Sequence, residues 1–162
     1  MVSSFVVALN KAPQPYYIEP LELADLDAVM EIERLCFKSP WSRQVFAEEV
    51  ARTWAHVDVL RNTATGRIVA FCNYWLVADE IHLLNLATHP QERRLGHASR
   101  LLAHVLEYGR RAACRLVTLE VRRSNEAAQR LYRRFAFKAT GLRPKYYVDD
   151  AEDAAVMSLD LV

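Results

Sequence analysis

A glutamate and a tyrosine lie where a strand pattern meets a helix pattern, and together they could supply a base and an acid. Glu120 lies in the apolar run LVTLEV, where a carboxylate either marks an exposed strand end or has a catalytic task. Tyr132 lies in the helical pattern that follows and is either a core residue or a proton donor. If that helix packs back along the strand, Glu120 lies roughly 13 Å and Tyr132 roughly 12 Å from the turn at Ser124. The two side chains would then lie at the same level.

A glycine turn precedes the longest helical pattern and could bind phosphate. Gly96 is one of four glycines in the chain, and the small residues in the sequence RRLGHAS over 93–99 leave the backbone uncovered. A helix N-terminus adds unpaired N–H groups and the positive end of its dipole, which favour anions. Arg93 and Arg94 add positive charge, and Asn125 at the start of the next helix could hydrogen-bond an amide-rich ligand. A plain turn is the alternative, because the stretch is neither a P-loop nor a dinucleotide fingerprint.

Hydrophobic periodicity predicts the elements that must position these residues. Apolar residues at helical spacing follow Asp25 and Ser42, and they recur after Gly96 and after Ser124 or Asn125. Ser42 is a candidate N-cap. The β-rich runs predict strands over 16–19, 55–60, 67–77, 81–88, 116–121, 138–143 and 154–161. Because the order β-α-α-β-β-β-α-β-α-β-β combines a meander with crossover helices, we expect an α/β fold whose mixed sheet carries helices on both faces.

The composition fits one globular domain over 1–162, with an extension over 1–15 before the first predicted strand. Hydrophobic residues make up 52% and charged residues 25% of the chain, which disfavours a disordered or fibrous protein. The short apolar run over 5–9 has no basic residue before it and is soon followed by prolines. We therefore predict neither a signal peptide nor a membrane span, and we expect a cytoplasmic protein.

Metal-binding patterns are missing from the sequence. The three cysteines, Cys36, Cys72 and Cys114, lack C-x-x-C spacing and are interpreted as buried thiols in a reducing compartment. The five histidines show no ligand spacing and are interpreted as surface or packing residues. The sequence therefore predicts no metal site.

The charges are unevenly distributed, although the net charge is +1. The stretch over 91–145 holds fourteen basic and four acidic side chains. A polyanionic ligand would be attracted to this half of the chain, unless the arginines only solvate two helices. A nucleic-acid-binding module is an alternative of another class, but the stretch has no recognised binding motif and no interleaved stacking aromatics. We expect no direct contact with nucleic acid.

Taken together, these residues resemble the GNAT superfamily of acyltransferases, whose cofactor loop follows Gln/Arg-x-x-Gly-x-Gly/Ala. Residues 93–98 read RRLGHA and match that loop. Within the superfamily the chain is similar to the ribosomal-protein-alanine N-acetyltransferases of the RimI group. This similarity spans roughly residues 17–161, and its motifs are SPWS over 39–42, LNLA over 84–87, LEVR over 119–122, SN over 124–125 and RPKYY over 143–147.

The resemblance implies a GNAT fold with six to seven strands and about four helices, acetyl-CoA as the cosubstrate, and no metal. It implies Glu120 as the proton acceptor and Tyr132 as the proton donor. The cofactor-binding residues that it implies are Leu86, Ala87 and Thr88 through their backbone, Arg93, Arg94, Leu95, Gly96, His97, Ala98 and Ser99 in the loop, and Asn125. The acceptor-binding residues would be Trp41, Tyr146 and Tyr147. Thr88-His89 and the N-terminal extension depart from the family pattern.

The implied acceptor is the N-terminal alanine of ribosomal protein S18, and we expect a monomer or weak dimer. An α-amine with a pKa of about 7.8 is roughly 14% neutral at pH 7, whereas a lysine amine with a pKa of about 10.4 is only about 0.04% neutral. One ordinary glutamate is therefore better matched to an N-terminus. The alternatives are a GNAT enzyme acting on a small-molecule amine or a lysine side chain, and a non-catalytic CoA-binding subunit.

Overall fold

The computed structural model describes residues 14–162, and residues 1–13, which hold most of the predicted extension and its apolar run, lie outside the described residues. The strands are β1 Tyr16–Pro20, β2 Ala55–Asn62, β3 Ile68–Val77, β4 Glu80–Thr88, β5 Leu116–Arg122, β6 Lys138–Tyr147 and β7 Glu152–Asp160. The helices are α1 Leu26–Cys36, α2 Arg43–Ala51, α3 His97–Arg111 and α4 Glu126–Arg134. The predicted order of elements is confirmed.

The seven strands form one mixed sheet in the order β1-β2-β3-β4-β5-β7-β6. The pair β4–β5 is parallel, whereas the other neighbouring pairs are antiparallel. A parallel pair needs a crossover connection, and α3 provides it. The predicted α/β fold with a central mixed sheet is therefore confirmed.

Each face of the sheet carries a separate hydrophobic core. Helices α1 and α2 cover one face, with Val29, Ile32 and Phe46 buried against β2 and β3. Helix α3 covers the other face together with α4, and its core residues are Leu101, Leu102, Val105 and Leu106. Their helical spacing is the pattern from which the helix was predicted, and burying each such side chain contributes about 1.5–3 kcal/mol.

The sheet splits between β4 and β5. Their register runs from Glu80 opposite Leu116 to Leu83 opposite Leu119 and then stops. A bulge bends β4 at this point, because Asn73 of β3 pairs with Asn85 whereas Tyr74 pairs with Leu83. Beyond the bulge, β4 stays paired with β3 as far as Thr88. A gap therefore opens between the second half of β4 and the end of β5.

The last predicted strand pair differs from the structure in its length. The sequence predicts a strand over roughly 138–143, but β6 continues through Pro144 to Tyr147. This strand is the edge of the sheet, where a proline removes no required hydrogen bond. Its register with β7 is nevertheless irregular between Arg143 and Tyr147.

Helices α2 and α4 begin at side-chain caps. The Ser42 hydroxyl accepts a hydrogen bond from the Val45 amide at the start of α2, as predicted. Of the two candidates before α4, Asn125 is the N-cap, and its side chain accepts from the Ala128 amide at 3.1 Å. None of the helices in residues 14–162 is long and apolar enough to cross a membrane.

Candidate active site

A cavity of about 500 Å³ lies between the second half of β4, the 93–99 loop and α4. We call it the Gly96 cavity. Its lining includes most of the residues that the sequence predicted for the cofactor, namely Leu86, Ala87, Thr88, Arg93, Arg94, Gly96, His97, Ala98, Ser99 and Asn125. Leu95 is the exception, because its side chain is 62% exposed and does not line the cavity.

The backbone of the loop is shaped for an anion. Gly96 is the N-cap of α3 with a φ of 82°, a left-handed conformation that side chains disfavour. A Cβ at this position would meet no atom within 4 Å, so the glycine is needed for its conformation rather than for space. The first N–H groups of α3 follow directly, and Arg93 and Arg94 line the same cavity. This arrangement can bind a pyrophosphate.

His97 contributes main chain rather than side chain to this loop. Its ring is 4% exposed and packs edge-on against Tyr16, with 4.5 Å between the ring centroids. Nε2 lies 3.6 Å from the Glu92 carboxylate and makes no hydrogen bond within residues 14–162. The predicted packing role of this histidine therefore fits its position.

The β5-facing edge of β4 also borders the Gly96 cavity. Leu86, Ala87 and Thr88 pair with β3 on one side only, since the register with β5 ends at Leu83. Alternate backbone N–H and C=O groups of an extended strand face each side, so this edge presents polar groups to the gap. An extended ligand rich in amides could pair with them as a neighbouring strand would.

A second cavity of about 520 Å³ lies beyond the gap, on the side of α1 and the β6–β7 connection. We call it the Glu120 cavity. It brings together Glu120 and Tyr132 with all three predicted acceptor residues, Trp41, Tyr146 and Tyr147. These residues come from β5, α4, the α1–α2 connection and β6.

Glu120 points away from the core although its sequence neighbours are apolar. Val117, Leu119 and Val121 are buried on one face of β5, whereas Thr118 and Glu120 are half-buried on the other. The Glu120 side chain is 15% exposed, and its Oε1 lies 3.2 Å from Nη2 of Arg143. The apolar run is thus an alternating strand, and its carboxylate belongs to the cavity face.

Tyr132 lies where the two cavities meet, because its side chain lines both. It is 7% exposed and packs against Phe137, with 5.7 Å between the ring centroids. Burial raises the pKa of its hydroxyl, and no hydrogen bond from residues 14–162 contributes to that shift. The phenol therefore keeps its proton at neutral pH and can donate it to a ligand. Asn125 also borders both cavities, and its amide nitrogen is not used by the cap.

Glu33 is a cavity residue that the sequence reasoning missed. It is 1% exposed, lines the Glu120 cavity, and accepts hydrogen bonds from the Trp41 amide at 3.0 Å and from Asn85 Nδ2 at 3.1 Å. Burial raises its pKa, and those two hydrogen bonds lower it by less. The available signal was its spacing, since Glu33 falls on the apolar stripe of α1 that includes Met30.

The prediction that all three thiols are buried is wrong for one cysteine. Cys72 and Cys114 are buried, but Cys36 is half-buried and lines both cavities. Its thiol donates to the Thr88 carbonyl at 3.3 Å, because α1 ends at the gap rather than in the core. In residues 14–162, no group of three or more His, Cys, Asp or Glu side chains could hold a metal ion.

Comparisons with known proteins identify the family of the chain. The sequence profile of the Acetyltransferase (GNAT) family matches residues 26–137. The chain is 34% identical over 146 residues to the ribosomal protein bS18-alanine N-acetyltransferase of Escherichia coli, which covers 89% of this chain and 97% of that protein. The enzyme of the same name from Salmonella typhimurium is 33% identical over 146 residues, with 89% and 97% covered.

Solved structures agree with the sequence relatives. The ribosomal-protein-S18-alanine N-acetyltransferase of Escherichia coli has a TM-score of 0.82 and 33% identity, covering 90% of this chain and 94% of that one. Ard1 from Thermoplasma volcanium has a TM-score of 0.83 at 24% identity, which supports the fold alone. With the family profile and these relatives, the chain belongs to the GNAT family and is an N-acetyltransferase.

Proposed function

We propose that the chain transfers an acetyl group from acetyl-CoA to the N-terminal alanine of ribosomal protein bS18. One observation carries the proposal: the Gly96 cavity and the Glu120 cavity meet at Tyr132. A transferase of this kind needs a donor site and an acceptor site that share one reacting point. The printed names of the Escherichia coli and Salmonella relatives supply the acceptor.

Acetyl-CoA supplies the acetyl group as a thioester, and the residues of the Gly96 cavity fit it. The left-handed Gly96, the first N–H groups of α3 and the two loop arginines suit its pyrophosphate. The backbone of Leu86–Thr88 suits the amides of its pantetheine arm. N–H groups on the same edge of β4 are suited to stabilise the oxyanion at the thioester carbonyl.

Glu120 and Tyr132 take complementary roles. The amine must lose a proton to form the new C–N bond, and Glu120 accepts it directly or through a water molecule. Tyr132 donates its hydroxyl proton toward the departing sulfur. Since a thiol has a pKa of about 8.5, below that of this buried phenol, the main contribution of Tyr132 is a hydrogen bond that forms as the sulfur gains charge.

The residues of the Glu120 cavity favour the N-terminus of a peptide as the acceptor. Trp41, Tyr146 and Tyr147 surround the Glu120 cavity with aromatic walls, while Glu33 and Glu120 supply carboxylates that attract an ammonium group. An α-amine is far easier to deprotonate at pH 7 than a lysine amine, because its pKa is about 2.6 units lower. A ribosomal protein as acceptor further suggests that the enzyme works in the cytoplasm.

The test is mass spectrometry of a synthetic peptide with the bS18 N-terminal sequence after incubation with the enzyme and acetyl-CoA. We expect one acetyl group on the α-amine. Two matched controls are the same peptide blocked at its N-terminus with an internal lysine available, and spermidine as a small amine. Acetylation of either control in preference to the free α-amine would contradict the proposal and support the alternative acceptor class.

A further inference from the structure

One arginine at the end of β5 contacts several groups around the mouth of the Glu120 cavity. The Arg122 side chain is 20% exposed, and its Nη2 donates to both carboxylate oxygens of Asp149, at 2.7 and 3.0 Å. Its Nη1 donates to Asp150 at 2.9 and 3.0 Å and to Glu152 at 3.2 Å. The guanidinium also lies 4.0 Å from the centroid of the Tyr147 ring. Hydrogen bonds between charged groups are shorter than those between neutral groups and roughly twice as strong.

Backbone pairing does not explain how the β6–β7 connection is held. The register of β6 with β7 is interrupted between Arg143 and Tyr147, and Tyr147 opposite Glu152 is its last pair. Residues 148–151 lie beyond that pair, with Val148 95% exposed and Ala151 at a φ of 55°. The segment therefore depends on side-chain contacts for its position.

The same carboxylates also bind the opposite wall of the cavity. Lys38 Nζ donates to Asp150 at 2.9 Å, and the Ser39 hydroxyl donates to Asp149 at 3.1 Å. Lys38 and Ser39 belong to the α1–α2 connection, which also carries Trp41. Hydrogen bonds from Lys38 and, less strongly, from Arg122 hold the pKa of Asp150 well below its usual value, so this carboxylate stays ionised at an acidic pH where an ordinary aspartate is protonated.

We propose that Arg122 is the positioning residue of the acceptor site: it holds the 148–151 segment and the Tyr147 ring against the wall formed by the α1–α2 connection. This inference rests on the proposed function. Arg122 follows Glu120 by two residues on the same face of β5, so the wall is held in a fixed relation to the candidate base. Lysine lacks the planar fork with which one guanidinium can donate to several carboxylates and stack on a ring at the same time.

The test compares Arg122→Gln with Arg123→Gln. Arg123 is the adjacent residue, its side chain is 72% exposed, and its nearest carboxylate, on Asp153, is 3.7 Å away. We expect the KM for an alanine-terminated peptide to rise about ten-fold or more in Arg122→Gln, with the KM for acetyl-CoA unchanged. Arg123→Gln should leave both values as in the wild type.

A second variant removes the partners instead of the arginine. Asp149→Asn combined with Asp150→Asn keeps β5 intact and should reproduce the increase in acceptor KM. Combining the two aspartate changes with Arg122→Gln should raise the acceptor KM only slightly further, because the effects of changes within one network are not additive. If Arg122→Gln fails to fold, this double variant decides, and a wild-type acceptor KM in it would overturn the proposal. Equal acceptor KM values in Arg122→Gln and Arg123→Gln would also overturn it.

Hydrogen exchange separates this inference from the proposed function. The backbone of residues 145–152 should exchange faster in Arg122→Gln than in Arg123→Gln, whatever the acceptor is. A wild-type enzyme that leaves the peptide unmodified would contradict the proposed function, while this comparison would still decide whether Arg122 holds the segment. Identical exchange in the two variants would show that it does not.

Discussion

The two cavities that meet at Tyr132 are built in different ways. In the Gly96 cavity, the groups suited to a pyrophosphate and to amides are backbone from neighbouring stretches of sequence, namely the second half of β4 and the 93–99 loop, while side chains of α4 and the end of α1 complete the lining. The Glu120 cavity uses side chains from α1, the α1–α2 connection, β5 and the β6–β7 hairpin. Its contacts span large sequence separations, such as 112 residues between Lys38 and Asp150.

This difference has a physical consequence. Backbone groups are the same for every residue type, so the Gly96 cavity depends mainly on conformation. Side chains vary, so the Glu120 cavity depends on residue identity at scattered positions. Substitutions should therefore separate the two: changes in backbone conformation affect cofactor binding, and changes of side chain affect the acceptor and the chemistry.

The largest expected effect comes from replacing Glu120, the proposed base. Glu120→Gln should lower kcat by roughly ten-fold or more, because an amide cannot accept the proton, while acetyl-CoA still binds. Steady-state kinetics and a direct binding measurement test this. The control is Arg143→Gln, which breaks the 3.2 Å ion pair but keeps the carboxylate. Equal loss in both variants would mean that the ion pair, rather than the base, is needed.

Tyr132 belongs to both cavities, so its substitution tests whether they share a reacting point. Tyr132→Phe should also lower kcat by roughly ten-fold or more with little change in acetyl-CoA affinity, because only the donor to the sulfur is lost. Tyr108→Phe is the control, since that hydroxyl lies near His56 and lines neither cavity. Unchanged turnover in Tyr132→Phe would remove the residue from its proposed role.

The backbone dependence of the Gly96 cavity can be tested with two glycines. Gly96 and Gly66 have φ values of 82° and 70°, and a Cβ added at either position would contact no other atom. Valine at either position should cost about 1–2 kcal/mol of stability. Calorimetry should show a rise of about ten-fold in the Kd for acetyl-CoA with Gly96→Val alone, a loss of about 1.4 kcal/mol of binding free energy. The same Kd in both variants would contradict the assignment of the loop.

The smallest expected effect concerns the buried carboxylate behind the acceptor site. Burial raises the pKa of Glu33, so the folded protein binds its proton more tightly than the unfolded chain does. The stability that this gives is present below the unfolded pKa of about 4.3 and is lost as the pH rises through the folded value. The glutamine side chain in Glu33→Gln does not titrate. The variant also loses the hydrogen bond that Oε2 accepts from Asn85, which is worth about 1 kcal/mol.

Urea unfolding from pH 4 to pH 7 tests this expectation. The variant should start less stable than the wild type by about 1 kcal/mol and should approach it as the pH rises. Glu31→Gln is the matched control on the same helix, because that side chain is 58% exposed. If the difference in unfolding free energy from the wild type does not change with pH in either variant, burial does not raise the pKa of Glu33.

The same contrast explains what the sequence could predict. The Gly96 turn, the long helix after it and the β5 run are local patterns, so the elements of the fold and a candidate phosphate-binding turn could be predicted from the residues themselves. Leu86, Ala87 and Thr88 were named as cofactor residues only through the family resemblance. Trp41, Tyr146 and Tyr147 entered only through the family resemblance. Glu33 and Arg122 were missed as site residues because their partners lie 52 and 27 residues away, at distances that only the folded chain defines.

The gap between β4 and β5 also bears on how the protein unfolds. Within residues 14–162 the two parts of the sheet share strand pairing only between Glu80–Leu83 and Leu116–Leu119, although the α3 core joins them on one face. The strand ends at the gap are therefore expected to open more readily than the paired parts of the sheet. A ligand lying across the gap joins them, and at 100 times its Kd it adds about 2.7 kcal/mol to the stability. The supply of acetyl-CoA in the cell would then set the lifetime of this enzyme against proteolysis as well as its rate.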